Sequence, residues 1–165
     1  MKTIYIVRHA KSSWDEVDLP DDQRPLTEKG KKRTLKVINY FLENRIKVDY
    51  IISSHAVRAH ETAKILANGL KYPAGQIKID PAIYHASGDN LIDLFYELPD
   101  NISSVMIVGH NPTLTDFANL FLKPPIEDLP TSGVVSLTFE TGHWKEIPRS
   151  VKRTNFILFP KDLQY

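Results

Sequence analysis

In MKTIYIVRHAK, residues 1–11, the dense apolar run from Ile4 to Val7 is rich in β-branched and aromatic side chains and predicts a buried strand. The run stops abruptly at Arg8 and His9. In open α/β sheets, ligands sit outside the carboxyl ends of the strands, so a guanidinium and an imidazole at that point are well placed for chemistry. As an isolated pair they are equally well read as the first polar residues after a strand. The rest of the chain has to decide between the two.

Composition narrows the classes. A chain of 165 residues is expected to form a single domain, 1–165, able to bury about two-thirds of its unfolded surface without staples. Its 42% hydrophobic and 25% charged residues are those of an ordinary globular protein. A net charge of +1 gives no reason to expect nucleic acid or an anionic membrane as partner. The absence of cysteine excludes disulfide scaffolds, thiol catalysis and thiolate zinc sites. The N-terminal apolar run is too short for a signal peptide, and no stretch is long enough to span a bilayer. A cytoplasmic location is expected.

Outward from His9, the acidic, proline-containing segment Asp18 to Pro25 reads as a loop, its carboxylates Asp18, Asp21 and Asp22 as solvated. Thr27 is an N-cap for a helix with Leu35, Ile38, Phe41 and Leu42 on its apolar face. Lys31, Lys32 and Arg33 form its solvated face. Val48 to Ser53 predicts a second strand, and Ala56 to Asn68 a helix stopped by Gly69, with Ala59, Ala63 and Leu66 toward the sheet. Arg58 falls in the first turn of that helix, where the dipole favours anions; taken alone it reads as a solvent-facing arginine tolerating a few tenths of a kcal/mol, and it makes better sense if an anion sits nearby. Gln76 to Asp80 reads as a short strand and Pro81 to Ser87 as a connection. A helix follows from Ser87 or Asp89, with Leu91, Leu94, Phe95 and Leu98 buried and Pro99 as its stop. Ser104 to Val108 predicts a strand leading into Gly109, His110, Asn111 and Pro112, with Asn111 capping a helix from Pro112 to about Leu122. Val134 to Glu140 and Asn155 to Pro160 read as further strands, with Trp144 to Ile147 as a third short one. The alternation predicts a three-layer α/β/α sandwich on a mainly parallel sheet with one or more antiparallel edge strands.

Three strand-to-helix junctions therefore present Arg8 with His9, Arg58, and His110. In a parallel sheet all three lie at one edge. Two guanidiniums and two imidazoles around one point suit a doubly charged group with several oxygens, and arginine's fork matches phosphate bidentately. The helix starts after Ser54 and Asn111 are expected to add N–H donors. Binding alone needs no histidine, whereas a neutral imidazole can accept a phosphoryl group. There is no glycine-rich phosphate loop and no GxGxxG, which disfavours nucleotide triphosphatases and dinucleotide enzymes. No His/Asp/Glu pair sits at ligand spacing on one helix face, so neither a metal nor any other cofactor is expected.

The strand ending in Arg8-His9, the segment SSHAVRAHETA (Ser53 to Ala63) and GHNPTL (Gly109 to Leu114) resemble, in order and spacing, the motifs of the histidine phosphatase superfamily, the phosphoglycerate-mutase-like enzymes. RHAKSSW (Arg8 to Trp14) and RPLTEKG (Arg24 to Gly30) are similar to its small SixA-type phosphohistidine phosphatases. The resemblance covers residues 1 to about 122. It implies His9 as nucleophile and transient phosphohistidine, Arg8 and Arg58 as phosphoryl ligands, and His110 as a stabiliser of the transferring group. Ser12 is an expected further phosphate ligand. Two departures stand out: His55 replaces the family's usual proline, and Ile83-Tyr84-His85 occupies the region where larger members carry a proton-donating glutamate. Lacking that acid fits a substrate with a good leaving group, such as the imidazole of phosphohistidine. His85 is a second option as proton donor, because an ordinary imidazole titrates near about 6.5, and equally reads as a surface loop residue. The expected substrate is a phosphorylated protein carrying phosphohistidine. A small phosphomonoester is the alternative, and a non-catalytic phosphate-binding module a third.

Overall fold

The computed structural model describes residues 1–14 and 18–163; residues 15–17 of the polar segment after His9 and the last two residues lie outside the described part. Six strands form one sheet: β1 (Lys2–Arg8), β2 (Tyr50–Ser53), β3 (Lys78–Ile79), β4 (Ser104–Gly109), β5 (Val134–Phe139) and β6 (Lys152–Leu158). Their order is β3-β2-β4-β1-β5-β6. The first four run parallel, while β5 pairs antiparallel with β1 and β6 antiparallel with β5. The antiparallel part is thus two strands deep.

Both faces are covered, which is why β4 and β5 are buried along their whole length. Tyr5, Val7, Ile51, Met106 and Val108 point to one face and pack under α1 (Glu28–Glu43) and α2 (Val57–Gly69). Ile4, Ile6, Val105 and Ile107 point to the other. There they meet α3 (Ala82–His85), α4 (Gly88–Leu91), α5 (Asp93–Tyr96), α6 (Thr113–Asn119) and a 3₁₀ helix, Trp144–Arg149. The expected α/β/α sandwich is the observed architecture. Among the described residues no helix is long and apolar enough to cross a membrane.

Several expectations need correction. Thr27 does cap α1, its hydroxyl accepting from Gly30 N–H at 3.0 Å. The buried stripe is Gly30, Thr34, Val37, Ile38 and Phe41, however, and Leu35 and Leu42 are about half exposed. Small residues take the inner turn because α1 lies against main chain: a Cβ on Gly30 would stand 2.6 Å from the Lys11 carbonyl oxygen. Gly69 is likewise not a left-handed stop. It ends α2 where a Cβ would strike Ile38, and Lys71 makes the positive-φ turn (φ 59°). The helix expected after Ser87 is broken into α4 and α5, with three-residue hydrogen bonds such as Phe95 N–H to Ile92 O (3.0 Å) tightening the chain so that Phe95 stacks on Phe117 at 5.5 Å. Trp144 to Ile147 is not a strand. Trp144 and Ile147 are both buried in one core, and a spacing of three puts them on the same side of a 3₁₀ turn but on opposite faces of a strand.

The docking of α1 on Lys11 yields a first prediction. Gly30→Ala is expected to cost about 1–3 kcal/mol through overpacking against backbone, whereas Leu35→Lys on the exposed face changes stability by less than about 0.5 kcal/mol. Urea unfolding of both variants checks this; equal effects would contradict the packing.

Candidate active site

Parallel register brings the three junctions together. Arg8 pairs with Gly109 across β1 and β4, and Ser53 with Val108 across β2 and β4. One step further, His9 N–H donates to Gly109 O and Ser54 N–H to Val108 O, each at 3.0 Å. His9, Ser54 and His110 therefore lie in one row beyond three adjacent strand ends. Thr62, buried in α2, ties in Arg58: its hydroxyl donates to Arg58 O (2.6 Å) and accepts from Ala10 N–H (2.9 Å).

His9 is held by a single directional contact. Its Nδ1 lies 2.6 Å from Ala10 O. A carbonyl oxygen can only accept, so Nδ1 carries the hydrogen and the neutral ring keeps its lone pair on Nε2. Burial, and then the charges of Arg58, Arg8 and Arg24, push the His9 pKa down to about 4 against the opposing effect of the Ala10 carbonyl. His110 is pushed down to about 3, by burial first and then by His9 and Arg58. Its Nε2 is 2.8 Å from Ser54 Oγ, and the two imidazole centroids are 5.4 Å apart. Both rings are thus neutral near pH 7, and His9 is poised as a nucleophile.

The cationic groups are positioned by oxygens at their outer edges. Arg8 Nη1 donates to Leu129 O (3.0 Å) and lies 3.7 Å from Asp128 Oδ2. Arg58 uses Nη1 and Nη2 on Asp21, donating to its main-chain oxygen (2.6 Å) and to Oδ2 (2.9 Å). The other carboxylate oxygen of Asp21 accepts from Arg24 Nε at 3.2 Å, and Arg24 Nη1 donates to Ser12 Oγ at 2.9 Å. Tyr84 completes the set by donating its hydroxyl to Asp21 Oδ2 at 2.5 Å. That bond first, then Arg58 and Arg24, hold the Asp21 carboxyl at about 2. All four buried side-chain nitrogens without a partner among the described residues belong to this neighbourhood: Arg8 Nε, His55 Nδ1, Arg58 Nε and His110 Nδ1.

Arg8, His9, Ser12, Arg58 and His110 line one cavity of about 270 Å³. His85 does not. It is exposed, packing on the Tyr84 ring at 5.0 Å, while Tyr84 packs edge-on against His110 at 5.3 Å. His55, at the position of the family's usual proline, lies with Nε2 3.5 Å from Asp22 Oδ2 and its ring 5.1 Å from that of Tyr84. The start of α6 serves its own chain: Leu114 N–H donates to His110 O and Thr115 N–H to Asn111 Oδ1, so these two are not the ligand donors expected there. Sequence reasoning missed Arg24, Tyr84 and above all Asp21, which is half exposed, as a loop carboxylate would be, yet ion-paired with two arginines. The signal was an uncompensated excess of converging cations facing an acid-rich loop.

The depressed imidazoles make stability pH-dependent. As pH falls below the usual 6.5, the unfolded chain takes up protons that His9 and His110 refuse until about 4 and about 3. Their contribution is therefore complete above 6.5 and is lost through that window, with the Asp21 contribution lost lower, from 3.8 down to about 2. Urea midpoints from about pH 8 to 4 are expected to fall on acidification, and less steeply in His9→Asn; a flat profile would contradict the buried neutral rings.

Residues 4–85 match the family model of the histidine phosphatase superfamily (branch 1). An uncharacterised protein of Picosynechococcus sp. is 31% identical over 118 residues, covering 70% of each chain. The phosphohistidine phosphatase SixA of Escherichia coli is 21% identical over 164 residues, covering 93% of this chain and 99% of that protein. A SixA-type structure from Agrobacterium tumefaciens superposes with a TM-score of 0.78 at 25% identity, over 96% of this chain and 98% of its own. With the family model, a relative 31% identical over 70% of each chain and a shared fold in agreement, the chain belongs to the histidine phosphatase superfamily.

Proposed function

We propose that residues 1–165 form one phosphatase domain that removes phosphoryl groups from protein phosphohistidine without a metal, through a covalent intermediate on His9. In the first half-reaction His9 Nε2 attacks phosphorus in line. The bond from phosphorus to the substrate nitrogen breaks, and its electron pair leaves with the imidazole. When the second ring nitrogen of the substrate carries a proton, the leaving group departs as neutral imidazole and needs no acid. In the second half-reaction water attacks the phosphorus of phospho-His9, the bond to Nε2 breaks, and the proton lost by water leaves with phosphate or solvent. Arg8 and Arg58 offset charge on the phosphoryl oxygens in both steps, with His110 beside them and the Ser12 hydroxyl at the cavity wall.

The observation that carries this reading is the placement of Asp21, whose oxygens are taken up by Arg58, Arg24 and Tyr84. It is the carboxylate bonded to Arg58 and Arg24, and at about 2 it is ionised at neutral pH. It has no proton to give to an alkoxide. Neither imidazole that lines the cavity carries an extra proton near pH 7, and His85 lies outside it. Among the described residues the cavity lining holds no carboxylic acid, and Lys11 is its one ionisable donor besides the arginines and imidazoles, which favours a leaving group that departs with little help, as an imidazole does and a sugar alkoxide does not. The SixA relatives, named for phosphohistidine, support the same substrate class.

With chelator present, the protein is expected to hydrolyse a phosphohistidine protein with higher kcat/KM than sugar or nucleotide monophosphates. His9→Ala is expected to lower the rate by about 10³-fold or more. Preference for the monophosphates would assign the site to small phosphomonoesters, and near-native turnover by His9→Ala would overturn the covalent route. Phosphate binding without turnover of any substrate would leave a binding module.

A further inference from the structure

Trp14 is 73% exposed, yet it is not a stray surface aromatic. The guanidinium carbon of Arg24 sits 3.5 Å from its ring centroid, a close cation–π contact. Arg24 itself is only 7% exposed, and its edge is pinned by Asp21 and Ser12. The indole therefore rests on a cation that cannot move without breaking the ion-pair network of the site. Trp14 also lines the same cavity as His9, Arg58 and His110. The other tryptophan, Trp144, is fully buried in the core, where a large aromatic is expected.

The two parts of the cavity call for different chemistry. Arg8 and Arg58 suit the phosphoryl oxygens, whereas an indole has nothing to offer a small, strongly hydrated anion. Its apolar π-face suits a flat ring. We propose that Trp14, held in place by Arg24, is the leaving-group subsite of this enzyme and selects substrates whose phosphoryl group is carried by a planar nitrogen heterocycle. The inference rests on the phosphatase reading above and adds the residue that chooses among its substrates. A phosphoryl group on an aliphatic oxygen or on ammonia gains nothing from Trp14.

The test compares phosphoimidazole with phosphoramidate, which share the phosphorus–nitrogen bond and differ in the ring. In Trp14→Ala the ratio of kcat/KM for phosphoimidazole to that for phosphoramidate is expected to fall about fivefold or more, mainly through KM, and Trp14→Phe is expected to recover most of it. An unchanged ratio would overturn the subsite while leaving the phosphatase reading intact. An equal loss on both substrates would also overturn it, by showing that Trp14 only steadies Arg24. If the wild-type protein shows no His9-dependent turnover of either compound, the phosphatase reading fails and the subsite fails with it.

Discussion

Two main-chain hydrogen bonds, from His9 N–H to Gly109 O and from Ser54 N–H to Val108 O, fix the ends of β1, β2 and β4 in one row. Everything reactive in the molecule depends on that alignment. Because the strands run parallel, each ends at the same edge, and a one-residue slip would move Arg8 and His9 to opposite faces. The sheet is buried on both sides by Ile, Val and Leu, which specifies the register strongly. Thr62 then carries the alignment into α2 by bonding Ala10 N–H and Arg58 O together. The chain thus brings residues about a hundred positions apart into hydrogen-bonding range with backbone geometry rather than with long side chains.

The site concentrates cations, and its electrostatics are settled in two ways. The imidazoles lose their protons, because burial and the neighbouring guanidiniums make the charged form costly. The arginines keep theirs and are held by Asp21, Asp128 and the Leu129 carbonyl. Neutral imidazole is the form a nucleophile needs, so in the proposed reaction the same field that would bind a phosphoryl anion also prepares the attacking group. Asp21 has a double consequence. It orients Arg58 and Arg24, and in the proposed reaction its ionised form supplies no proton to the leaving group.

The strands, the sandwich and the junction residues Arg8, His9, Arg58 and His110 are legible in the sequence because they follow from alternation and from polar groups at strand ends. Spacing misleads where side chains pack on backbone. Gly30 and Thr34 form the inner face of α1, although apolarity points to Leu35 and Leu42. At Trp144 and Ile147, aromatic and β-branched residues suggest a strand where the three-residue spacing builds a 3₁₀ turn. Asp21 and Tyr84 are invisible to local reading because their roles exist only across distances of 37 and 63 residues in the chain. No pattern within the acid-rich loop separates Asp21 from Asp18 or Asp22.

The central claim concerns one atom. Nδ1 of His9 is bonded to Ala10 O, which makes Nε2 the attacking nitrogen of the proposed reaction. Rapid-quench trapping with a ³²P-labelled phosphohistidine substrate, followed by site mapping under alkaline conditions, measures this directly. The account predicts acid-labile phosphate on Nε2 of His9, formed and discharged at rates compatible with turnover. Label on Nδ1, label on another residue, or multiple turnover with no phosphoenzyme would contradict it.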